Sequence, residues 1–139
     1  MKLSSFLIAF MVIILLGCST NDNSKENVSQ LHDIWVLESI NGESFVMDDQ
    51  ARNYPVLEIY VKEERIHGNT GCNTFNGTIK IDNNKIIFSK LIATQMACPG
   101  DLEHRLLSAF EVIDNYKIEN LRLYLYEGET EKLVFRKVD

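Results

Sequence analysis

From Ile34 onward, apolar and polar residues alternate along the chain in short runs, which is the pattern of half-buried β-strands. The runs predict strands at 34–39, 43–47, 57–62, 65–69, 78–81, 85–89, 116–118, 121–126 and 132–137. Asn41-Gly42 indicates a hairpin turn between the first two, because both central positions of such a turn favour positive φ. The pattern therefore predicts a mainly β domain.

One segment departs from this alternation and predicts a helix. Asp101 is placed to cap it, and Glu103 falls in the first turn, where a negative charge is favourable. Apolar residues then recur three and four positions apart, on one stripe: Leu102, Leu106, Ala109, Phe110 and Ile113. We predict a helix from Asp101 to Ile113 that packs on the sheet or plugs an open barrel. The predicted fold class is mainly β (α+β), a small antiparallel β-barrel-like sheet with one packed amphipathic helix.

The N-terminus carries a short apolar run, from Leu3 to Leu16, that ends at Gly17-Cys18. A membrane-spanning helix needs about 20 apolar residues, whereas one positive charge before a shorter run is typical of a secretory signal. The ending Leu15-Leu16-Gly17-Cys18 resembles a bacterial lipobox. We therefore predict cleavage between Gly17 and Cys18 and acylation of Cys18, with palmitate among the chains. The alternative is an ordinary secretory signal followed by a chance cysteine.

The residues after the cleavage point divide into a tether and a domain. The segment 19–30 is polar and nearly free of apolar residues, so it cannot bury a core of its own. We predict a signal peptide over 1–17, a lipidated flexible tether over 18–31, and one domain over 32–139. A dozen flexible residues reach about 20 Å on average, which would hold the domain just off the membrane.

The charge balance restricts the partners. The chain has 14 basic and 20 acidic residues, and the loss of Lys2 with the signal leaves a net charge of -7. Such a protein lacks the clustered Lys and Arg of nucleic-acid binding, so no nucleic-acid partner is predicted. Acyl chains on Cys18, rather than attraction to anionic lipid, are predicted to hold the membrane. Ser19 follows Cys18 in place of the Asp that favours inner-membrane retention, which predicts the periplasmic face of the outer membrane in a Gram-negative bacterium.

Two motifs around the remaining cysteines resemble those of META/HslJ-like domains. The matching positions are Gly71, Cys72, Asn73, Phe75 and Gly77, followed by Thr94, Met96, Ala97 and Cys98. Trp35 and Asn41-Gly42 match the opening of that domain, and the resemblance covers nearly all of 34–137. It implies a β-barrel-like fold with one packed helix. It also implies links to heat-shock or antibiotic-stress tolerance, without a defined reaction, and a frequent occurrence in lipoproteins.

Cys72 and Cys98 allow three interpretations. A disulfide is favoured, because export into an oxidising compartment permits pairing; it would close a loop of about 26 residues and contribute roughly 2–4 kcal/mol. Buried unpaired thiols come second. A soft-metal site of Cys72, Met96 and Cys98, with His67 or His104, has ligands that copper(I) favours. A place in the core is the commoner expectation for Met96, and neither a metal nor a cofactor is predicted.

No arrangement of residues predicts catalysis. The chain has no His-Glu-x-x-His metal motif and no Gly-x-Ser-x-Gly nucleophile motif. Cys72 could be a nucleophile with His67 as its base, but a cysteine with an oxidisable partner in an exported protein usually pairs. Glu63-Glu64 could be a carboxylate pair, but adjacent residues on a strand point to opposite faces. We therefore expect the chain not to be an enzyme.

Two functional hypotheses remain. The first is an envelope stress or interaction protein that works through a protein partner, and the second is a carrier that holds a lipid or a small apolar ligand in its barrel. A filled interior would favour the first, and a deep apolar pocket the second. Trp35 is predicted to anchor the core. Tyr124 and Tyr126 share a face and could line a groove or cover the barrel end.

Overall fold

The fold is seen in a computed structural model that describes residues 23–47 and 51–138. The elements are α1 (Asn23–Gln30), β1 (Ile34–Ile40), β2 (Glu43–Ser44), β3 (Val56–Tyr60), β4 (Arg65–Asn69), β5 (Thr74–Asp82), β6 (Lys85–Ala93), α2 (Leu102–Val112), β7 (Asn115–Glu119), β8 (Arg122–Glu127) and β9 (Thr130–Lys137). Neither helix among these residues is long and apolar enough to cross a bilayer. Gly17 and Cys18, which carry the predicted cleavage and lipidation, lie outside the described residues.

The strands form one antiparallel sheet that curls into a ring. Their order is β2-β1-β3-β4-β5-β6-β7-β8-β9, and β1 also pairs with β9. The ring is weak at one place, because β6 and β7 share a single residue pair, Lys85 with Asn115. The sheet is thus barrel-like without being a complete barrel, which confirms the predicted fold class. We call the opening between β6 and β7 the seam.

Strand β1 buries alternate residues, and a bulge shifts this alternation near its end. Trp35 and Leu37 are buried, as strand alternation requires. A bulge between Leu37 and Ser39 then inserts one residue, so Ile40 rather than Ser39 faces the core.

The hairpin after β1 has the predicted turn but a shorter second strand. Asn41 and Gly42 both have positive φ, 50° and 80°, which confirms the turn. The return strand, predicted over 43–47, is only Glu43–Ser44. Beyond it, the backbone N–H of Phe45 still donates to the carbonyl of Glu38 at 2.8 Å, and the Phe45 ring packs against that of Tyr54, with the two centroids 5.9 Å apart.

Helix α2 fills the interior of the ring with the predicted stripe. Phe110 is fully buried, and its ring centroid lies 5.6 Å from that of Phe75, 4.9 Å from that of Phe88 and 6.2 Å from that of Phe135. The predicted side-chain cap is wrong: Asp101 precedes the helix, but its side chain makes no capping hydrogen bond. Its backbone angles, φ −119° and ψ 3°, lie outside the extended region that a capping residue normally adopts.

The segment predicted to be a flexible tether is partly helical and joins the domain. It contains α1, and Leu31 at its end is fully buried. The indole Nε1 of Trp35, itself buried, donates a hydrogen bond to the carbonyl of Leu31 at 3.1 Å. Trp35 is therefore a core anchor, as predicted, and the packed part of the chain includes Leu31.

Phe110→Ala tests whether the interior is filled. Removing a large side chain from a tight core costs about 3–5 kcal/mol, so the free energy of unfolding in urea should fall by that amount. Val112→Ala on the exposed side of α2 is the matched control and should change it by about 0.5 kcal/mol or less. A nearly unchanged midpoint for Phe110→Ala, with lipid co-purifying in native mass spectrometry, would contradict the filled interior.

Candidate functional site

The two cysteine motifs meet at one end of the ring. Cys72 lies in the bend between β4 and β5, and Cys98 lies in the segment between β6 and α2. The two form a disulfide, with their Cα atoms 5.9 Å apart, within the range that a disulfide requires. This confirms the favoured interpretation, and the thiols are therefore neither unpaired nor available as metal ligands. Among the described residues, no three His, Cys, Asp or Glu side chains are grouped so as to hold a metal ion.

Asn73, beside the disulfide, is fully buried and joins three segments of chain. Its Nδ2 donates to the carbonyl of Met96 at 3.1 Å and to Glu103 Oε1 at 3.1 Å. The same nitrogen lies 3.0 Å from Cys98 Sγ. Its Oδ1 accepts from Thr94 Oγ1 at 2.8 Å and from the backbone N–H of Met96 at 2.9 Å. Both ends of this amide are thus used within the protein.

Thr70 completes this arrangement, which we call the Asn73 cluster (Thr70, Asn73, Thr94 and Glu103). The buried hydroxyl of Thr70 donates to Glu103 Oε2 at 2.7 Å. It also accepts from the backbone N–H of Asn73 at 3.0 Å. Glu103 therefore receives one hydrogen bond on each carboxylate oxygen, and these bonds attach the first turn of α2 to the β4–β5 bend.

The glycine and phenylalanine positions of the first cysteine motif are also explained by the structure. Gly71 has a φ of +97°, which side-chain-bearing residues rarely adopt. A Cβ on Gly77 would lie 2.8 Å from Leu91 Cδ2 and 3.1 Å from the carbonyl oxygen of Ser89, so no side chain fits there without displacement. Phe75 is fully buried in the core.

Several sequence-based expectations about this region are decided by the geometry. Met96 is not a core residue, since its side chain is 51% exposed; only its backbone is held, through Asn73. The ring of His67 makes a hydrogen bond to the side chain of Asn76, with Nδ1 2.9 Å from Oδ1. Thr70 and Glu103 were not predicted as partners of Asn73. A buried asparagine in a glycine-rich bend is a signal for such a cluster, but its partner 30 residues away cannot be found from spacing.

A second candidate lies beside β7, where an open groove has a volume of about 680 Å³. Its lining residues are Asn27, Asn83, Asn84, Asn115, Tyr116, Lys117, Ile118, Tyr126, Gly128 and Glu129. The sequence leaves two alternatives for Tyr124 and Tyr126, lining a groove or covering the barrel end; Tyr126 lines this groove, and Tyr124 is not among its lining residues. We call this surface the β7 groove.

The β7 groove is lined mainly by neutral groups, with two charged side chains, Lys117 and Glu129. Burial raises the pKa of Tyr116, whose hydroxyl donates to the carbonyl of Asn83 at 2.9 Å. Burial also raises the pKa of Tyr126, with the nearby Glu131 adding to the effect. A hydrogen bond to Glu119, at 2.8 Å, raises the pKa of Lys117 and keeps its ammonium charged. Amide, phenol and backbone groups thus dominate the groove.

Comparison with known proteins agrees with this geometry. The model of the META domain matches residues 28–139, which include both cysteine motifs and the whole ring of strands. The chain belongs to the META domain family. The resemblance seen in the sequence is thereby confirmed, and the match begins upstream of Leu31, in α1.

One relative and three solved structures extend the comparison. The chain is 36% identical over 93 residues to "Heat shock protein HslJ" of Escherichia coli (strain K12), an alignment that covers 65% of this chain and 63% of that protein. The chain therefore matches less than two thirds of that META-domain relative's length.

The solved structures share the fold. A protein from Burkholderia xenovorans, solved by NMR, has a TM-score of 0.62 at 24% identity, covering 80% of this chain and 86% of its own. A second NMR structure has a TM-score of 0.61 at 23% identity, covering 79% of this chain and 93% of its own. The crystal structure of a DUF4847 family protein from Bacteroides vulgatus has a TM-score of 0.58 at 15% identity, covering 78% of this chain and 96% of its own.

The disulfide should be present in the purified, unreduced protein. Titration of the unfolded, unreduced protein should find no free thiol at Cys72 or Cys98. Replacing both by alanine should lower the free energy of unfolding by roughly 2–4 kcal/mol, because the unfolded chain then loses its cross-link. Wild-type protein treated with reductant is the control and should lose stability to a similar extent. Two reactive thiols, or a tightly bound metal in the purified protein, would contradict the assignment.

Proposed function

We propose that this META-domain protein is a non-catalytic lipoprotein of the bacterial cell envelope that acts by contacting other proteins. Acyl chains on Cys18 hold it to the membrane, at the periplasmic face of the outer membrane if the bacterium is Gram-negative. Its role is in envelope stress or antibiotic tolerance. The name of its relative from Escherichia coli, "Heat shock protein HslJ", supports a stress role.

The observation that carries this proposal is the packing of the ring interior. Phe110 occupies the centre and contacts the rings of Phe75, Phe88 and Phe135. A carrier needs interior volume for its ligand, and these side chains fill the place where a ligand would lie. The packing therefore supports a protein that acts through its surface over one that carries a lipid inside.

The Asn73 cluster supports a structural rather than a chemical role for the family motif. Its amide, hydroxyl and carboxylate groups bond one another and the backbone of Met96. A catalytic group must instead present a polar atom to a substrate within hydrogen-bond reach. Cys72, which could have been a nucleophile, is bonded to Cys98.

Cys18→Ala tests the anchor on which the proposal depends. The variant should leave the membrane fraction and accumulate in the soluble or unprocessed pool, because it lacks the thiol that carries the lipid. Intact-mass analysis of the wild-type protein should find acyl groups on Cys18. Ser19→Asp, which keeps the thiol, is the matched control and should stay membrane-bound but shift towards the inner membrane in a Gram-negative host.

The role in stress is tested in the same strains. A strain without the protein should survive heat shock less well, and wild-type protein should restore survival while Cys18→Ala should not. An unacylated Cys18 in the mature protein would contradict the lipoprotein assignment. Full rescue by Cys18→Ala would contradict the need for an anchor.

A further inference from the structure

We propose that the outer edge of β7 is a binding site for an extended polypeptide segment, which adds to the sheet as a further strand. This inference rests on the proposed function and deepens it, because it assigns the protein contact to one surface and one class of partner. The site consists of the backbone of 116–118 and the β7 groove beside it.

The backbone of β7 has unpaired groups on the edge that faces away from β8. In an antiparallel ladder, successive residues point their N–H and C=O groups alternately towards one neighbour and the other. The N–H of Tyr116 points away from β8, since it donates to the carbonyl of Asn84 at 2.8 Å. Ile118, two residues on, has the same orientation, and its pairing with Leu123 continues without a bulge. Among the described residues, neither the N–H nor the C=O of Ile118 has a hydrogen-bond partner on that edge.

The neighbouring strand cannot satisfy these groups. Strand β6 begins at Lys85, after the tight turn at Asn83 and Asn84, and its pairing with β7 ends after Lys85 and Asn115. Strand β7 therefore extends beyond its neighbour. Unpaired strand edges of this kind are templates for pairing with another chain.

Open space lies beside this edge. The β7 groove borders Ile118, and a second groove of about 460 Å³, with Gln30 and Asn120 in its lining, borders the same residue. We call these two grooves together the path. Five extended residues span about 17 Å, and each volume lies in the range of about 300–1,000 Å³ that binding pockets have.

The chemistry of the path favours a polypeptide with little charge. Backbone donors and acceptors on a strand edge recognise the backbone of an added strand, while side chains along the groove add selectivity. Asn27 lines one groove and Gln30 the other, both on α1, and side-chain amides can bond the free edge of the bound segment. Of the two charged side chains that line the β7 groove, Lys117 is already paired with Glu119, and Glu129 is exposed to solvent.

The test is an NMR titration of the ¹⁵N-labelled full chain, held in neutral detergent, with the uncharged peptide acetyl-Gly-Thr-Val-Thr-Val-Thr-amide. Because recognition through the backbone tolerates many side chains, this probe should produce saturable shifts at the Ile118 and Tyr116 amides. The same peptide carrying N-methyl groups on alternate residues keeps its side chains but loses half of its backbone donors. The N-methyl groups can be placed on the odd-numbered or on the even-numbered residues, which gives two peptides, one for each methylation register. At least one of these two peptides should bind at least tenfold more weakly than the unmethylated parent.

Two variants locate the site. Ile118→Pro removes the outward N–H, which an edge strand tolerates, and should weaken binding at least tenfold, whereas Ile118→Val keeps the N–H and should bind like the wild type. Asn27→Trp places a large side chain in the groove without altering β7 and should weaken binding at least fivefold. Glu111→Trp, on the exposed side of α2, is its matched control and should have no effect.

The proposal is overturned if the peptide gives no shift at Ile118 up to millimolar concentration, or if both N-methylated registers bind as well as the parent. It is also overturned if the trimer of N-acetylglucosamine, but not the peptide, shifts these amides, since the groove would then be a saccharide site. Membrane fractionation of the wild-type protein separates the two proposals. An anchored wild-type protein that fails to bind the peptide refutes this inference alone, whereas an unanchored one refutes the proposed function.

Discussion

The arrangement of this protein depends on the hydrogen bonds of one buried side chain, Asn73. Its amide holds the segment after β6 through the backbone of Met96, and it holds the start of α2 through Glu103. That helix packs Phe110 inside a sheet that is joined by only one residue pair at the seam between β6 and β7. A buried polar group left without partners costs about 1–3 kcal/mol, so loss of the Asn73 amide should weaken the attachment of all three segments. The disulfide between Cys72 and Cys98 fixes the same junction covalently.

This junction explains why the motif that defines the family gives little information about a partner. Gly71, Phe75 and Gly77 are required by backbone conformation, core packing and close approach. Cys72 and Asn73 hold segments together. Residues with these duties keep the ring and its helix intact, and they leave other surfaces of the domain available for contacts. The edge of β7 is such a surface, at which the backbone rather than a motif presents the hydrogen-bonding groups.

Most of the strands could be predicted because their causes are local. Strand β4 has its predicted bounds, Arg65–Asn69, and the turn at Asn41 and Gly42 has the predicted backbone angles. The errors come from contacts between distant residues. The second strand is shorter than predicted, and the Phe45 ring beyond it packs against Tyr54 from a separate segment. Met96 is exposed, and Asn73, 23 residues earlier, holds its backbone. The bond between Asn73 and Glu103 spans 30 residues, and no periodicity in the sequence reports it.

Amide hydrogen exchange of α2 in Asn73→Ala tests the central role of this side chain most directly. Loss of the amide should let α2 detach from the ring more often, so the amides of 106–110 should exchange about tenfold faster or more than in the wild type. Asn76→Ala, at an exposed position on β5, is the matched control and should leave α2 unchanged. Wild-type protection of α2 in Asn73→Ala would show that the helix is held in the ring without Asn73, and would contradict the account.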